Sequence, residues 1–466
     1  MSAPRQSERV HPLNDRPPRE GGKYVLYWMQ QSQRVEYNHA LEYAVHSANQ
    51  AGLPTLVVFG LMDDYPEANA RHYVFMLEGL HDVADALEKR GIGFALRHGS
   101  PPRVALSFEK DAHSIVVDCG YLRHQRAWRE EVATHAQCPV TQIEADVVVP
   151  VDTASPKLEV GARTIRSKIW RVADKFLQPL RTVTPKVEWS KRIASDFDLD
   201  DPTRVAAKLK IDHSVEPVSQ FFAGGTKEAK KRFEKFCEQR LPEYAEQRNH
   251  PEHDEVSHMS LYLHFGQISP VWLVLEAAKF ESESKLSVQS FIEELVIRRE
   301  LAMNFVSCEP HYDRFDAIPE WAQTTLEAHA DDKREHHYTL RQLEDAETHD
   351  LYWNAAMREM RFTGYMHNYL RMYWGKKILE WSKTPHGAHA ALLTLNNKYF
   401  LDGRDPNSYA NAGWIFGLHD RPWPERPIYG TVRCMMASGL ERKCDIKGYV
   451  AKVDRLIESA TRHEKK

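Results

Sequence analysis

The 466-residue sequence contains no apolar run near the roughly 20 residues that a membrane-spanning helix needs. The polar, proline-rich residues 1–22 also lack the apolar segment of a signal peptide, so we expect them to form a disordered lead-in. Six cysteines are scattered without a CxxC pair, which argues against a zinc site or a disulfide framework and is typical of a reducing compartment. These absences predict a cytoplasmic protein without a bound metal or a membrane contact.

An excess of positive charge is also absent, since the formal net charge is −4. This value excludes a protein that binds nucleic acid through a uniformly basic surface. It allows a local basic face, because electrostatic steering depends on the distribution of charge rather than on its total. The length exceeds what one ordinary hydrophobic core supports and predicts two or three domains.

Residues 23–150 alternate short β-rich runs with helical patterns. Apolar residues recur at three- and four-residue spacing between the runs, and Gly52 and Gly91 fall where helix C-caps are expected. This alternation predicts a Rossmann-like α/β domain with a parallel, doubly wound sheet. No GxGxxG motif follows the first strand, so only the crevice at the carboxyl ends of the strands is a candidate ligand site. The strand candidates are residues 24–29, 55–61, 93–99 and 114–120.

The remainder of the chain divides into a linker and a helical domain. Residues 151–220 are rich in proline and charge, and we expect an interdomain linker with one short helix near 165–178. Residues 221–466 show helical periodicity without a convincing β pattern. The predicted architecture is an α/β domain followed by a large all-helical domain.

Residues 360–381, MRFTGYMHNYLRMYWGKKILEW, read as one helix with a high aromatic content. On a helix, Trp374 and Trp381 lie about two turns apart, on nearly the same face. Trp353, on the preceding helical segment, is placed to pack beside them. Three indoles in series either fill a core or act as stepping stones for an electron between a buried redox cofactor and the surface. Spacing alone does not decide between the two.

Two polar stretches have the composition of a ligand site. In LNNKYFLDGRDPNSY (395–409), Asn396 and Asp402 flank a turn that is either solvated or grips a ligand with many donors and acceptors, such as an isoalloxazine ring. In SHMSLYLHFGQISP (257–270), Ser257 and Ser260 precede a helical run. Their hydroxyls either cap that helix or bind a diphosphate together with its backbone N–H groups.

Two further stretches combine arginines with carboxylates or aromatics. FIEELVIRREL (291–301) places Glu293 and Glu294 among apolar residues. We expect one carboxylate to pair with an arginine one turn on and the other to point inward as a proton or hydrogen-bond donor. GLHDRPWPERPIYGTVRCM (417–435) has the composition of a salt-bridged surface loop, or of a surface that binds phosphates and stacks on bases.

The order and wording of several motifs resemble the class II cyclobutane pyrimidine dimer photolyases over most of residues 240–450. These motifs are YLHFGQISP, EELVIRREL, HDLYWNAAMREM, MHNYLRMYWGKKILEW, LDGRDPN and HDRPWPERPIYGTVR. The resemblance implies a Rossmann-like antenna domain, a long linker and a helical domain that binds FAD and DNA. It also implies light-driven repair, in which reduced FAD passes an electron to a flipped-out pyrimidine dimer and the electron returns.

The resemblance further implies roles for particular residues. An electron relay is implied for Trp374, Trp353 and Trp381, from proximal to distal. Glu294 is implied to be the acid that hydrogen-bonds the pyrimidine carbonyl. The residues implied to bind FAD are Tyr244, Ser257 and Ser260 near the phosphates, Arg371 and Asp402 as an ion pair beside the isoalloxazine, and Asn396 facing flavin N5. The residues implied to contact the lesion and its DNA are Arg248, Asn249, Tyr369, Met372, Trp414, Arg421, Trp423 and Arg433.

The sequence departs from the family pattern in three places. His258 replaces a glycine and Leu261 a proline in the phosphate segment. Arg298 sits where some members carry a tryptophan that faces the dimer. The segment between Trp414 and His419 is one residue shorter than usual.

The main alternative is a cryptochrome-like blue-light receptor on the same scaffold, which keeps the flavin and the tryptophans without needing the lesion contacts. Repair of the (6-4) lesion and electron transfer by a simple flavoprotein are further alternatives, less favoured by the motifs. The crevice of the α/β domain is open to a deazaflavin, a folate or no antenna chromophore. We expect a monomer in the cytoplasm, associated with the nucleoid if the source is bacterial.

Overall fold

The first part of the chain is built around a six-stranded sheet with the order β1-β6-β5-β2-β3-β4. The computed structural model describes residues 6–190 and 193–463, without the side chains of 459–463. Strands β2 to β6 run parallel, whereas β1 pairs antiparallel with β6. The predicted parallel sheet is therefore confirmed except at its β1 edge. The strands are β1 (Val10–Pro12), β2 (Tyr24–Trp28), β3 (Thr55–Leu61), β4 (Gly93–His98), β5 (Ala112–Asp118) and β6 (Val140–Ile143).

Helices separate the strands and, connected by loops and turns, form most of the remaining regular structure of the described chain. Up to residue 239 they are α1 (His39–Ala51), α2 (Ala70–Lys89), α3 (Pro101–Glu109), α4 (Arg123–His135), α5 (Val151–Ala154), α6 (Ala162–Phe176), α7 (Pro202–Ala206) and α8 (Thr226–Gln239). Next come α9 (Tyr244–Gln247), α10 (Met259–His264), α11 (Pro270–Ala278), α12 (Glu281–Ile292), a π-helical turn (Glu293–Arg298) and α13 (Arg299–Cys308). The last are α14 (Glu320–Ala328), α15 (Leu340–Glu344), α16 (Leu351–Thr363), α17 (Asn368–Trp381), α18 (Pro385–Tyr399), α19 (Pro406–Ile415), α20 (Ala437–Lys443) and α21 (Ile446–His463). Short 3₁₀ turns lie at Ser7–Arg9, Leu241–Glu243 and Phe315–Ala317.

Local sequence explains the central elements. Strands β2 and β3 are buried along their whole length, as expected for parallel strands covered by helices on both faces. Helix α1 begins where the Asn38 side chain accepts the backbone N–H groups of Ala40 and Leu41. It ends at Gly52, whose φ of 68° is the left-handed conformation that glycine adopts without strain.

The described chain forms two compact units. One, the α/β unit, comprises the chain up to Pro156, Arg166–Glu234 and His258–Lys279. The other, the helical unit, comprises Lys157–Ile165, Lys235–Ser257 and the chain from Phe280. The boundaries predicted at residues 150 and 220 stay predictions. Within the described ranges, no helix combines the length and the apolar character that crossing a membrane requires.

The prediction of a disordered lead-in over residues 1–22 is wrong for its described part, which begins at residue 6. Residues Val10–Pro12 form β1, and the buried Arg9 side chain ties this segment to the sheet. Its guanidinium donates to the carbonyls of Glu144, Val147 and Val148 at 2.6–3.0 Å. The composition of the lead-in suggested disorder, but its order comes from partners more than a hundred residues away.

The structure refines one prediction about helices and contradicts another. The linker prediction of one helix near 165–178 corresponds to α6, and α5 and α7 also lie within residues 151–220. The single helix predicted over residues 360–381 is wrong. Helix α16 ends at Thr363 because Gly364 takes a φ of 74°, and α17 begins at Asn368.

Candidate active site

The three predicted indoles lie in contact in the core of the helical unit. The rings of Trp353 and Trp374 are stacked, with centroids 6.4 Å apart and planes 13° from parallel. Trp381 meets Trp353 edge-on at 5.5 Å. All three are buried, and the Trp353 indole N–H donates to the backbone carbonyl of Trp374 at 3.0 Å. The contacts make a continuous aromatic series in the order Trp374, Trp353, Trp381.

Asp350 fixes the position of Trp353 in this series. Its carboxylate accepts the backbone N–H groups of Tyr352 and Trp353 at 3.0 Å and so caps α16. The same carboxylate accepts the hydroxyl of Tyr373 on α17. The cap of one helix is thereby tied to the next helix, which keeps Trp353 against Trp374.

The outer end of the series has aromatic neighbours that sequence reasoning missed. Trp381 meets Tyr338 edge-on at 5.2 Å and His349 at 5.5 Å. The Tyr338 hydroxyl lies 2.6 Å from His349 Nδ1. Tyr338 is half-buried and His349 is exposed, so the series approaches the surface here. The signals in the sequence are the run HHY at residues 336–338 and the place of His349 at the start of the motif HDLYWNAAMREM.

A partly buried ion pair lies beyond the inner end of the series. Trp374 meets Phe400 edge-on at 6.2 Å, and the Arg371 guanidinium lies 3.9 Å from the centre of the Phe400 ring. Arg371 donates two hydrogen bonds to the Asp402 carboxylate, at 3.1 and 3.2 Å. A two-point pair of this kind fixes the orientation of both side chains. The predicted pairing of Arg371 with Asp402 is present in the structure.

Asn396 lies near the end of α18, next to the loop that joins α18 to α19. The Asn396 side chain is buried and donates from its amide nitrogen to Asn397 Oδ1 at 3.0 Å. Asn397 Oδ1 also accepts the backbone N–H of Arg404, a residue in the left-handed conformation with φ of 66°. Gly403 allows the loop to close, because a Cβ there would lie 2.9 Å from the carbonyl oxygens of Asn396 and Phe400. The amide of Asn396 is therefore oriented by the loop, and no described protein group occupies its Oδ1.

The π-helical turn presents the two glutamates. Glu294 pairs with Arg248 at 2.9 Å, and Glu293 pairs with Arg298 at 3.5 Å. The Arg248 guanidinium also lies 5.8 Å from the ring of Tyr244, and burial raises the pKa of that tyrosine to about 12. The Glu294–Arg248 pair joins two residues whose roles were predicted separately, and sequence reasoning did not anticipate their contact.

A row of alternating cations and indoles, here called the ladder, extends from the interior of the helical unit to its surface. The Arg433 guanidinium lies 5.8 Å from the Trp414 ring and 4.8 Å from the Trp423 ring, within cation–π distance of both. The Arg421 guanidinium lies 5.4 Å from Trp423, and the ammonium of Lys376 lies 5.2 Å from Trp414. Both indoles are half-buried, and both arginines are exposed.

The remaining predicted site residues lie on the same or neighbouring elements. Tyr369 and Met372 are half-buried on α17, close in sequence to Arg371. Asn249 is half-buried just after α9. Ser257 is half-buried in the helical unit, whereas Ser260 is exposed on α10 in the α/β unit. Their implied ligand contacts stay predictions.

Comparison with solved structures defines the class of protein to which this fold belongs. A bacterial class III photolyase from Agrobacterium tumefaciens has a TM-score of 0.69 at 19% identity, covering 87% of this chain and 82% of that one. A cryptochrome from Synechocystis has a TM-score of 0.66 at 16% identity, covering 89% and 86%. The fold is that of the photolyases and cryptochromes.

Comparison of sequences narrows the class to one family. Residues 25–186 match the family model for DNA photolyase. A deoxyribodipyrimidine photo-lyase from Methanothermobacter thermautotrophicus is 46% identical over 97% of this chain and 99% of its own length. Another from Arabidopsis thaliana is 39% identical over 95% of this chain and 91% of its own length. The chain belongs to the DNA photolyase family.

Proposed function

We propose that the protein uses blue light to split cyclobutane pyrimidine dimers in DNA. Reduced FAD, when bound, supplies the electron that opens the cyclobutane ring and that returns afterwards. The observation that carries this proposal is the contact series Trp374–Trp353–Trp381, which ends beside the Arg371–Asp402 pair. The identity to deoxyribodipyrimidine photo-lyases over nearly the whole chain supports it. We also propose a monomer that acts on DNA in the cytoplasm or nucleoid.

The residues around Asn396 fit a flavin. The free Oδ1 of Asn396 and its remaining N–H can accept from or donate to a ring nitrogen whose protonation changes with its redox state. The buried Asp402 carboxylate is paired with Arg371, so that neither charge is unpaired. The pair places a fixed dipole near the proposed flavin site. Tyr244 and Ser257 are proposed to contribute to phosphate binding, and the implied role of Ser260 stays a prediction.

The indole series would serve as the relay through which electrons from an external reductant, such as a thiol, reach a bound flavin. Neighbouring rings lie close enough for single electrons to pass from one to the next, and burial shields the oxidised rings from solvent. Trp374 receives no hydrogen bond partner at its indole nitrogen among the described residues, whereas the Trp353 nitrogen is bonded. A carbonyl acceptor at the indole N–H stabilises an oxidised Trp353 ring relative to an oxidised Trp374 ring. This difference favours the passage of an electron from Trp353 to Trp374.

Glu294 and the ladder form the proposed lesion site. Glu294 is partly exposed, with 35% of its side chain accessible, so it can contact an incoming base while Arg248 balances its charge. Trp414 and Trp423 offer flat surfaces for bases, and Arg421 and Arg433 offer charges for phosphates. These features favour repair over a cryptochrome-like receptor, because a receptor needs no surface for a damaged base.

A second chromophore is proposed for the α/β unit. Tyr65, His124 and Trp128 are in mutual edge-on contact, with centroids 5.0–6.1 Å apart. Tyr65 lies in the loop after β3, and the other two lie on α4 after β5, so all follow the carboxyl ends of parallel strands. This aromatic wall is suited to a flat antenna chromophore such as a deazaflavin or a folate. An archaeal photolyase from Sulfolobus tokodaii, which has a TM-score of 0.63 at 16% identity and covers 84% of this chain and 83% of that one, has been solved with two FAD molecules.

The proposal is tested by repair of a defined lesion. Photoreduced protein is mixed with an oligonucleotide that carries one thymine dimer and is illuminated with blue light, beside a dark control. We expect light-dependent loss of the dimer, strongly reduced by Glu294→Ala and by Asn396→Leu, and unaffected by Asn49→Leu in the α/β unit. Normal flavin photoreduction with persistent dimers would refute repair and leave the receptor as the better account.

A further inference from the structure

Lys376 is a fully buried lysine at the inner end of the ladder. Its ammonium donates to the backbone carbonyl of Ile415, the last residue of α19. The preceding residue, Gly375, allows this contact: a Cβ there would lie 2.8 Å from the Ile415 side chain. The two helices therefore approach closely at this point, and the carbonyl end of α19 favours a positive charge.

A lysine is a costly residue in such a place. Moving an ammonium from water into a protein interior is unfavourable unless it is well compensated, and an apolar residue of similar volume is often at least as stabilising. Its direct contacts are one carbonyl and the ring of Trp414 at 5.2 Å, with a more distant attraction from Asp420. Stability alone does not account for Lys376.

Trp414 connects Lys376 to the proposed lesion site. Its ring lies within cation–π distance of Lys376 inside and of the exposed Arg433 outside. An indole held by two cations has less freedom to tilt than one held by packing alone. Because the indole is already ordered, less conformational entropy is lost when a flipped base binds to it.

We propose that Lys376 is a positioning residue, whose buried ammonium holds the Trp414 indole in the orientation that distinguishes a dimer from an undamaged base. This inference rests on the proposed function, since it takes Trp414 to be part of the lesion site. Lys376 itself does not touch DNA. Its loss should therefore reduce the preference for damaged DNA and leave the affinity for undamaged DNA unchanged.

Because the charge of Lys376 depends on pH, the proposal predicts that the preference for damaged DNA also depends on pH. Burial lowers the pKa of Lys376 to about 7; Asp420 and Cys434 oppose this shift, and Arg433 adds to it. The ammonium is thus charged below about pH 7 and neutral above it, so the attraction to Trp414 weakens as the pH rises. Because the unfolded lysine keeps its proton up to about pH 10.4, folding stability should rise with pH between the two values.

The experiment measures the dissociation constants of an undamaged duplex and of the same duplex with one thymine dimer, from about pH 6 to about pH 8.5. The ratio of the two constants in the wild type should fall by about tenfold over this range, in line with the loss of one desolvated cation–π contact. Lys376→Met should show the low ratio at every pH. Its melting temperature at pH 6 should equal or exceed that of the wild type, because a buried charge is removed.

Two further variants separate the possible outcomes. Lys376→Arg keeps its charge at all these pH values and should keep a high ratio without a pH dependence. Lys398→Met, which removes an ammonium paired with Glu344, should behave as the wild type. A wild-type ratio and pH profile in Lys376→Met, or a large fall in its melting temperature, would overturn the inference. A wild type without any preference for the dimer would instead refute the proposed function.

Discussion

At the scale of single residues, Trp353 occupies the middle of the indole series. It contacts Trp374 through a stacked face and Trp381 through an edge. Its own position is set by the Asp350 cap and by its hydrogen bond to the Trp374 carbonyl. One side chain therefore joins the inner and outer members, and no other ring of the series replaces it.

Replacement of Trp353 by phenylalanine should interrupt the relay. We expect photoreduction of bound FAD to slow by about tenfold or more, equivalent to about 1.4 kcal/mol of activation free energy. The variant should still fold, because phenylalanine retains most of the buried area and the cost should stay below the about 3–5 kcal/mol of a change to alanine. Transient absorption after blue-light excitation measures the rate.

The matched control for Trp353→Phe is Trp272→Phe, which alters a buried indole in the α/β unit. It should leave photoreduction unchanged. Dimer repair by chemically reduced Trp353→Phe should also be normal, because the relay only prepares the cofactor. Unchanged photoreduction in Trp353→Phe would mean that the indoles are core packing.

At the scale of elements, the loop from Phe400 to Asp405 holds much of the proposed flavin site. It carries Asp402, places Gly403 against the carbonyl oxygens of Asn396 and Phe400, and holds Arg404 in a left-handed conformation. The Arg404 guanidinium donates to the Asn397 carbonyl at 2.9 Å. The loop and the end of α18 therefore form one hydrogen-bonded unit.

Gly403→Ala should disturb this unit and weaken flavin binding. The added Cβ would lie within 3.0 Å of backbone atoms of Asn396, Asn397 and Phe400, which cannot move aside cheaply. Overpacking of this kind costs about 1–3 kcal/mol. We expect a lower FAD content in the purified protein, measured by the ratio of flavin to protein absorbance.

A glycine with open space provides the control for Gly403→Ala. A Cβ at Gly439, within α20, would meet nothing within 4 Å. Gly439→Ala should keep the full FAD content and raise stability by up to about 1 kcal/mol, because alanine favours a helix. Equal FAD content in both variants would show that the loop does not shape the flavin site.

At the scale of the whole molecule, DNA binding must overcome a net charge of −4. The proposed DNA contacts therefore depend on a local set of arginines, of which Arg421 and Arg433 are exposed. Each phosphate contact releases counterions, so the logarithm of the affinity should fall linearly with the logarithm of the salt concentration.

Arg421→Gln should reduce the slope of this salt dependence by about 1. Affinity for damaged and undamaged DNA should fall in parallel, because a phosphate contact carries no information about the lesion. Fluorescence anisotropy over a salt series measures both effects. Arg103→Gln, an exposed change in α3 of the α/β unit, should leave the slope as it is; an equal loss in that variant would argue against a local basic face.

The sequence predicts the elements well where their causes are local. The fully buried runs of β2 and β3 and the ends of α1 depend on nearby residues, and their positions follow from composition and capping. Strand β1 escapes prediction because three residues, one of them proline, gain their order from the distant partners of Arg9. From the sequence, Gly364 is compatible with the interior of a helix, although in the structure it ends α16.

The residues of the candidate site likewise fall into those that the sequence predicts and those that it does not. The indoles and the Arg371–Asp402 pair are recognisable because family motifs contain them. Tyr338 lies outside these motifs. His349 and Lys376 lie within them, but the neighbours that give them a role come from elements remote in sequence. His258 illustrates a departure that the backbone absorbs: it keeps a φ of 57°, a conformation suited to the glycine that the family pattern has there.

The π-helical turn at Glu293–Arg298 has a consequence for how this gene can change in length. In this turn the backbone N–H of Arg299 donates to the carbonyl of Glu294, five residues back, so the helix holds one residue more than an α-helix would. Deleting any one residue from it would restore a regular helix and rotate the side chains on one side of it by about 100° relative to those on the other. Glu294 and the buried face of α13 would then no longer point in their present directions together. Natural variation here should therefore substitute residues more readily than it removes one.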